Sequence, residues 1–176
     1  MKYKEYINRE VYHGQRLNFI KKYYYKYICP QTNAVYLIRT FLYYKGSENK
    51  ILSYLSKLYK YRLIKKYNIF IGDNTKIAIG LDLPHPSSIV IGDKVVIGEN
   101  CTIYHEVTFG GARRGDYSKG NYPKVGDNCV FFAGSKIIGN INIEDNVIVG
   151  ANCLINRNCL NGLTYAGIPG KPINKV

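Results

Sequence analysis

The chain has 176 residues, 46% of them apolar, and a formal net charge of +13. That length fits one domain, or one domain with a short accessory segment. No run of 18 apolar residues occurs, which argues against a transmembrane helix. The charged start Met1-Lys2-Tyr3-Lys4-Glu5 has no apolar stretch behind it to form a signal peptide, so the cytoplasm is the expected compartment.

The charge is unevenly placed. Residues 1–66 carry 15 basic and 3 acidic residues, whereas residues 67–176 carry 10 and 9; the first 66 also hold 13 of the 18 tyrosines. This first segment reads as helical. Pro30 with Gln31-Thr32-Asn33 interrupts it, as does Gly46-Ser47-Glu48-Asn49. In its last piece Ile51, Leu52, Leu55, Leu58, Tyr59 and Leu63 recur at helical spacing and predict one apolar face.

From Ile71 the period changes to six. Large apolar residues fall at Ile71, Ile77, Leu83 and Ile89; the phase slips by two and resumes at Ile91, Ile97, Ile103 and Phe109. It returns at Val125, Phe131, Ile137, Ile143, Val149 and Ile155. Four places after each anchor stands a smaller inward candidate, among them Thr75, Ser87, Val95, Cys101, Val107, Cys129, Ser135, Val147, Cys153 and Cys159. Neither a helix nor an alternating strand has this period, but a parallel β-helix with three short faces per turn does. Four coils of about 18 residues fit, over 71–88, 91–108, 125–142 and 143–160.

The register accounts for four of the five cysteines. Cys101, Cys129, Cys153 and Cys159 take the inward small position and predict packing rather than chemistry, since a free Cys behaves as a small hydrophobe. No zinc or disulfide spacing is present, and no metal is expected. Residues 110–124 contain no anchors and must leave the solenoid as a loop, placed by this count between two intact coils.

Several stretches resemble the acetyl-CoA-dependent hexapeptide acyltransferases, in the serine O-acetyltransferase-like branch. They are Leu83-Pro-His-Pro-Ser-Ser-Ile-Val-Ile-Gly, Val107-Thr-Phe-Gly-Gly, Pro123-Lys, Ala133-Gly-Ser-Lys-Ile-Ile-Gly-Asn-Ile and Ala166-Gly-Ile-Pro-Gly-Lys-Pro. The likeness covers roughly residues 67–172 and looks greater still to the relatives in capsule and exopolysaccharide clusters. It implies a mainly β fold: a left-handed parallel β-helix over 67–176, with the protruding loop 110–124 and a C-terminal tail, behind an N-terminal helical segment 1–66. It also implies a homotrimer with active sites between subunits.

On the same resemblance His85 is the general base, taking the proton from an acceptor hydroxyl that attacks the acetyl thioester. A hydroxyl needs a positioned base at neutral pH, and imidazole suits that task. His105 lies 20 residues on, one coil plus the two-residue slip. If a corner absorbs the slip, the two histidines stack on coils about 4.8 Å apart. His105 would then orient His85, bind the acceptor or be the base itself. The donor, acetyl-CoA, would run along backbone at Gly110, Gly111, Ala133, Gly134 and Ala151, with Lys171 near the nucleotide phosphates.

Three positions depart from the serine enzymes. Phe70 stands where an aspartate supports the catalytic histidine, Pro84 where another aspartate helps hold the amino acid, and Tyr122 where the loop carries a histidine. These losses favour a hydroxyl of a sugar or polysaccharide precursor as acceptor, with Tyr117 and Tyr122 available to stack on its ring. L-serine is the first alternative acceptor, and a non-catalytic binding solenoid the second. For residues 1–66 three readings compete: a cap over the open first coil, attachment to an anionic membrane surface at its inner face, and nucleic-acid binding, for which no motif is present and which is not expected.

Overall fold

A computed structural model of the chain describes residues 2–173. The helical segment begins with α1 (Lys2–Tyr6), which runs on as a π-helix over Ile7–Val11. Next comes α2 (Phe19–Tyr23), capped by the Asn18 side chain on the Lys21 amide and continued as a π-helix over Tyr24–Ile28. The helical stretch does break at Pro30: Cys29 is extended and Pro30 is the first residue of α3 (Pro30–Lys45), where its missing N–H costs no helical bond, while Gln31-Thr32-Asn33 lie inside the helix. The Asn49 side chain caps α4 (Lys50–Tyr67), which ends at Asn68 in the left-handed conformation.

α3 is the core of this segment: Thr32 through Phe41 are all buried, because α1, both π-helices and α4 pack on it and Arg39 joins it to the first coil. α4 lies on α3 through Leu52, Ser56, Tyr59, Leu63 and Tyr67, a stripe at helical spacing. The apolar face expected on α4 is therefore rotated. Leu63 is buried, but Ile51, Leu55 and Leu58 are exposed.

The solenoid follows as short strands. The first coil holds β1 (Phe70–Ile71) and β2 (Lys76–Ile77), and the second β3 (Val90–Ile91), β4 (Val96–Ile97) and β5 (Thr102–Ile103). The third holds β6 (Thr108–Gly110), β7 (Lys124–Val125) and β8 (Val130–Phe131), with the four-residue α5 (Asp116–Lys119) in the loop between β6 and β7. The fourth holds β9 (Lys136–Ile138), β10 (Asn142–Ile143) and β11 (Ile148–Val149); a fifth, shorter turn holds β12 (Leu154–Ile155) and β13 (Thr164–Ala166). Finally β14 (Lys171–Ile173) folds back antiparallel on β13. Residues 174–176 of the expected tail lie outside the described residues.

Strands at equivalent positions pair in parallel and form three faces, β1-β3-β6-β9-β12, β2-β4-β7-β10 and β5-β8-β11-β13. Each two-residue strand buries its second residue, so the anchors form the inner columns, for instance Ile71, Ile91, Phe109, Ile137 and Ile155.

The coil division changes. Hydrogen bonding starts the coils at Phe70, Val90, Thr108, Lys136 and Leu154; the first two lie within one residue of the sequence-based limits, and the later ones do not. Anchors on all three faces look alike, so a count gives the period but not where a turn begins. The loop 110–124 accordingly leaves from the corner between the first and second faces of the third coil, not from between two intact coils.

All four solenoid cysteines, with Val95, Val107, Ser135 and Val147, are fully buried at the inward small position. Ser87 is exposed instead, because the slip falls at its corner; Ile89 takes the inward place beside Ile91.

Candidate active site

The corner between the third and first faces recurs at five levels, as Pro84–Ser88, Tyr104–Glu106, Phe132–Gly134, Gly150–Asn152 and Ala166–Ile168. In the first coil it is longer: eight residues separate Leu83 from Ile91, against six from Ile103 to Phe109. The slip is absorbed there, as expected, and His85 and His105 come together. Their ring centroids are 5.9 Å apart and meet edge to face at 73°. His85 is exposed; His105 is half-buried, and its Nδ1 is buried with no hydrogen-bond partner.

The ridge continues into small residues. The Gly134 amide donates to the His105 carbonyl and the Asn152 amide to the Ala133 carbonyl, so Ala133, Gly134 and Ala151 stack in line beyond the histidines. Gly134 has a φ of 73°, and a Cβ there would lie 2.2 Å from Asn152 Oδ1, so a side chain at this corner would be strained and would have to displace the Asn152 amide. The ridge thus offers imidazoles at one end and uncluttered backbone further along.

Not every expected site residue joins this ridge. Gly110 and Gly111 sit where the loop leaves, on the corner between the first and second faces. The loop is held by Asp116, whose Oδ2 accepts from the amides of Ala112 and Arg113 while Oδ1 accepts from Asn121 Nδ2. The Asn121 bond first, then these amides, holds the Asp116 carboxyl below the usual range. Tyr122 packs on Gly92, where a Cβ would meet its ring carbon at 2.6 Å; burial, then the nearby Asp93, pushes its phenol upward. Tyr117 projects into solvent. Within one chain, then, the loop tyrosines and the histidines stand on different corners. Lys171 is exposed on β14, paired with Ala166 at the solenoid's far end.

Three features were missed in the sequence. Tyr104 stacks on Phe132 at 5.1 Å and tilts against His85 at 5.9 Å, making an aromatic flank along the ridge. Lys136 Nζ bonds the Glu106 carbonyl. The Glu106 side chain, next to His105, is exposed and makes no hydrogen bond or ion pair among the described residues. All four residues occupy outward positions, which the anchor period does not mark. Phe70 is exposed on the first face and Pro84 half-buried at the histidine corner, so neither gives His85 a carboxylate. Among the described residues no group of three or more His, Cys, Asp or Glu could hold a metal ion.

The family model for the bacterial transferase hexapeptide (six repeats) matches residues 122–157. The serine acetyltransferase of Staphylococcus epidermidis is 44% identical over 103 residues, covering 58% of this chain and 47% of that protein. The serine acetyltransferase of Neisseria gonorrhoeae superposes with a TM-score of 0.76 at 24% identity, over 99% of this chain and 66% of that one. A serine acetyltransferase solved as a complex with CoA gives 0.71 at 24% identity, over 87% and 60%. The chain spans about half the length of the curated relatives it matches. The left-handed β-helix is the fold of this chain, and its likeness to the serine acetyltransferase-like branch of the hexapeptide acyltransferases is supported. The greater likeness to capsule and exopolysaccharide enzymes is not.

The expected sugar or polysaccharide acceptor is overturned by the same findings, since the matched relatives are serine acetyltransferases. The physical ground for that expectation was also incomplete. The two carboxylates and the imidazole are absent at Phe70, Pro84 and Tyr122, but the Glu106 carboxylate beside His105 is unpaired among the described residues.

Proposed function

We propose that this chain is an acetyl-CoA-dependent O-acetyltransferase whose acceptor is the hydroxyl of L-serine. The observation that carries the reading is the His85–His105 pair on a ridge of the coil stack, in a chain 44% identical over 103 residues to a serine acetyltransferase. His85, the exposed member, accepts the serine hydroxyl proton as the oxygen attacks the thioester carbonyl. The C–O bond forms, the C–S bond breaks, and the proton passes to the departing thiolate to give free CoA. His105 sets the orientation of His85, in place of the carboxylate that Phe70 cannot supply. Glu106 is the anion available to the serine ammonium.

The donor would lie along Ala133, Gly134 and Ala151. A serine acetyltransferase of similar fold solved as a complex with CoA supports a CoA donor here. Gly110, Gly111 and the loop sit on another corner, so a site that uses both sets takes them from two copies, in keeping with a homotrimer. Lys171 is free to meet nucleotide phosphates. Tyr117 loses the ring-stacking role drawn from a sugar acceptor.

The test is thiol release from acetyl-CoA with L-serine and a panel of sugars. Turnover with L-serine, reduced on the order of 10²- to 10⁴-fold in His85→Ala, is expected. Full activity in His85→Ala with loss in His105→Ala would exchange the two roles. No turnover of L-serine by the unaltered chain, with CoA bound in calorimetry, would overturn the acceptor; no CoA binding would overturn the enzyme.

A further inference from the structure

Away from the histidine ridge, the helical segment carries a cationic cleft. Four cations line it, Lys4, Arg16, Lys22 and Lys26, together with Tyr12 and Tyr36, and no acidic residue does; its volume is about 390 Å³. Lys22 sits over the Tyr12 ring at 5.9 Å and Lys26 over the Tyr36 ring at 4.6 Å, so the ammonium groups are held in place by aromatic faces rather than by carboxylates. From Val11 to Ser47 the sequence contains no Asp or Glu. A concave site that collects like charges with no countercharge is matched to an anion brought from outside.

The second observation concerns the element that bears Lys22 and Lys26. The helix α2 and its π-helical continuation bury no residue at all. Phe19 is 82% and Ile20 76% exposed, and Tyr23, Tyr24, Tyr27 and Ile28 are exposed beside them. An apolar face beside a lysine-bearing flank is the pattern of a helix lying in a bilayer interface, with its rings at headgroup depth.

We infer that α2 and its π-helical continuation dock this protein on an anionic phospholipid surface, with a lipid phosphate in the cleft of Arg16, Lys22 and Lys26. The choice of a bilayer over a second copy follows from charge. The same face on two copies would bring Lys21, Lys22 and Lys26 against their equivalents. The inference is independent of the acyl-transfer reading and survives its failure.

The experiment is co-sedimentation of the full chain with vesicles of pure phosphatidylcholine and of phosphatidylcholine with phosphatidylglycerol. Its controls are sedimentation velocity without vesicles and calorimetric titration with inorganic phosphate. Binding should appear only on the anionic vesicles and be released by salt. Arg16→Gln with Lys22→Gln should lower partitioning on the order of 25-fold, about fivefold per cation. Phe19→Ser with Ile20→Ser should lower it at least tenfold. These side chains are not in the core, so melting should be unchanged in both variants. No binding at low salt overturns the inference, as does binding indifferent to both variants. Tight phosphate binding without vesicle binding makes the cleft a soluble-anion site and overturns it too. So does burial of α2 in a self-assembled oligomer that ignores vesicles.

Discussion

Replacing Arg39 should be the most damaging single change outside the solenoid core. Glu10 and Arg39 form a fully buried pair: Arg39 Nε donates to Glu10 Oε2 and Nη2 to Oε1, each at 2.6 Å. Oε1 also accepts from the amides of Gly80 and Leu81, and Arg39 donates to the carbonyls of Ile77 and Ala78. The pair thereby joins the π-helix after α1, α3 and the first coil at one point. In Arg39→Met the carboxylate keeps two amide donors but loses its countercharge, and two carbonyls lose a donor. Removing one partner of a buried ion pair costs about 3–5 kcal/mol. For a chain of this size that is roughly 6–20 °C in melting temperature. Thermal and urea denaturation give the value. Adding Glu10→Leu to Arg39→Met removes the stranded charge, so the double variant should recover much of the loss. A single variant that costs under about 1 kcal/mol, or strictly additive losses in the double variant, would refute the clamp.

With a chromogenic disulfide reagent one thiol, Cys29, should react in the native protein and five in denaturant. The four solenoid cysteines are buried, and burial pushes the Cys159 thiol up to about 12; fast reaction of a second thiol would contradict the packing. Burial also pushes the Tyr67 phenol up to about 12, and its O–H donates to Asn33 Oδ1 at 2.8 Å. A raised value means stability that is complete below the unfolded value near 10 and lost as pH rises through about 12. Circular dichroism along that range should show loss of helix, with a flatter curve in Tyr67→Phe. Glu106→Gln should raise KM for L-serine roughly tenfold and leave KM for acetyl-CoA unchanged, as loss of one charge-assisted contact would. A fall in kcat alone would assign Glu106 another part.

The period of six was enough to place the solenoid, because an inward column admits only anchors and small residues and the chain repeats both. It found the buried cysteines and, through the two-residue slip, the meeting of His85 with His105. It placed the first two coils but not the limits after them, since Phe109 reads the same whether it closes a turn or opens one; only the hydrogen bonds of β6 to β3 and β9 decide. The face on α4 differs from the expected one because tyrosines and leucines surround that helix, and which of them are covered depends on where α3 lies. Glu106, Tyr104 and Phe132 left no signal at all. They project outward at corners where the fold places no constraint on residue type.

The helical segment also acts on the histidine corner. The longer Pro84–Ser88 turn has no strand of its own to hold it, and the first coil has no coil above it. Its support comes from the end of α4: the Ser88 amide donates to the Tyr67 carbonyl, and Asn68 Nδ2 to Ser88 Oγ at 3.2 Å. Below, the Glu106 amide donates to the Ser87 carbonyl. His85 therefore lies in a turn pinned between the C-terminus of α4 and the second coil, and within it the Ser87 amide donates back to the His85 carbonyl. Pinning the turn on both sides fixes the backbone that carries the exposed His85 imidazole, so its position relative to His105 is set by the fold. The buried Glu10–Arg39 clamp holds the first coil, and α4 holds this corner. Loosening the helices should thus reach the imidazole through the backbone of residues 85–88.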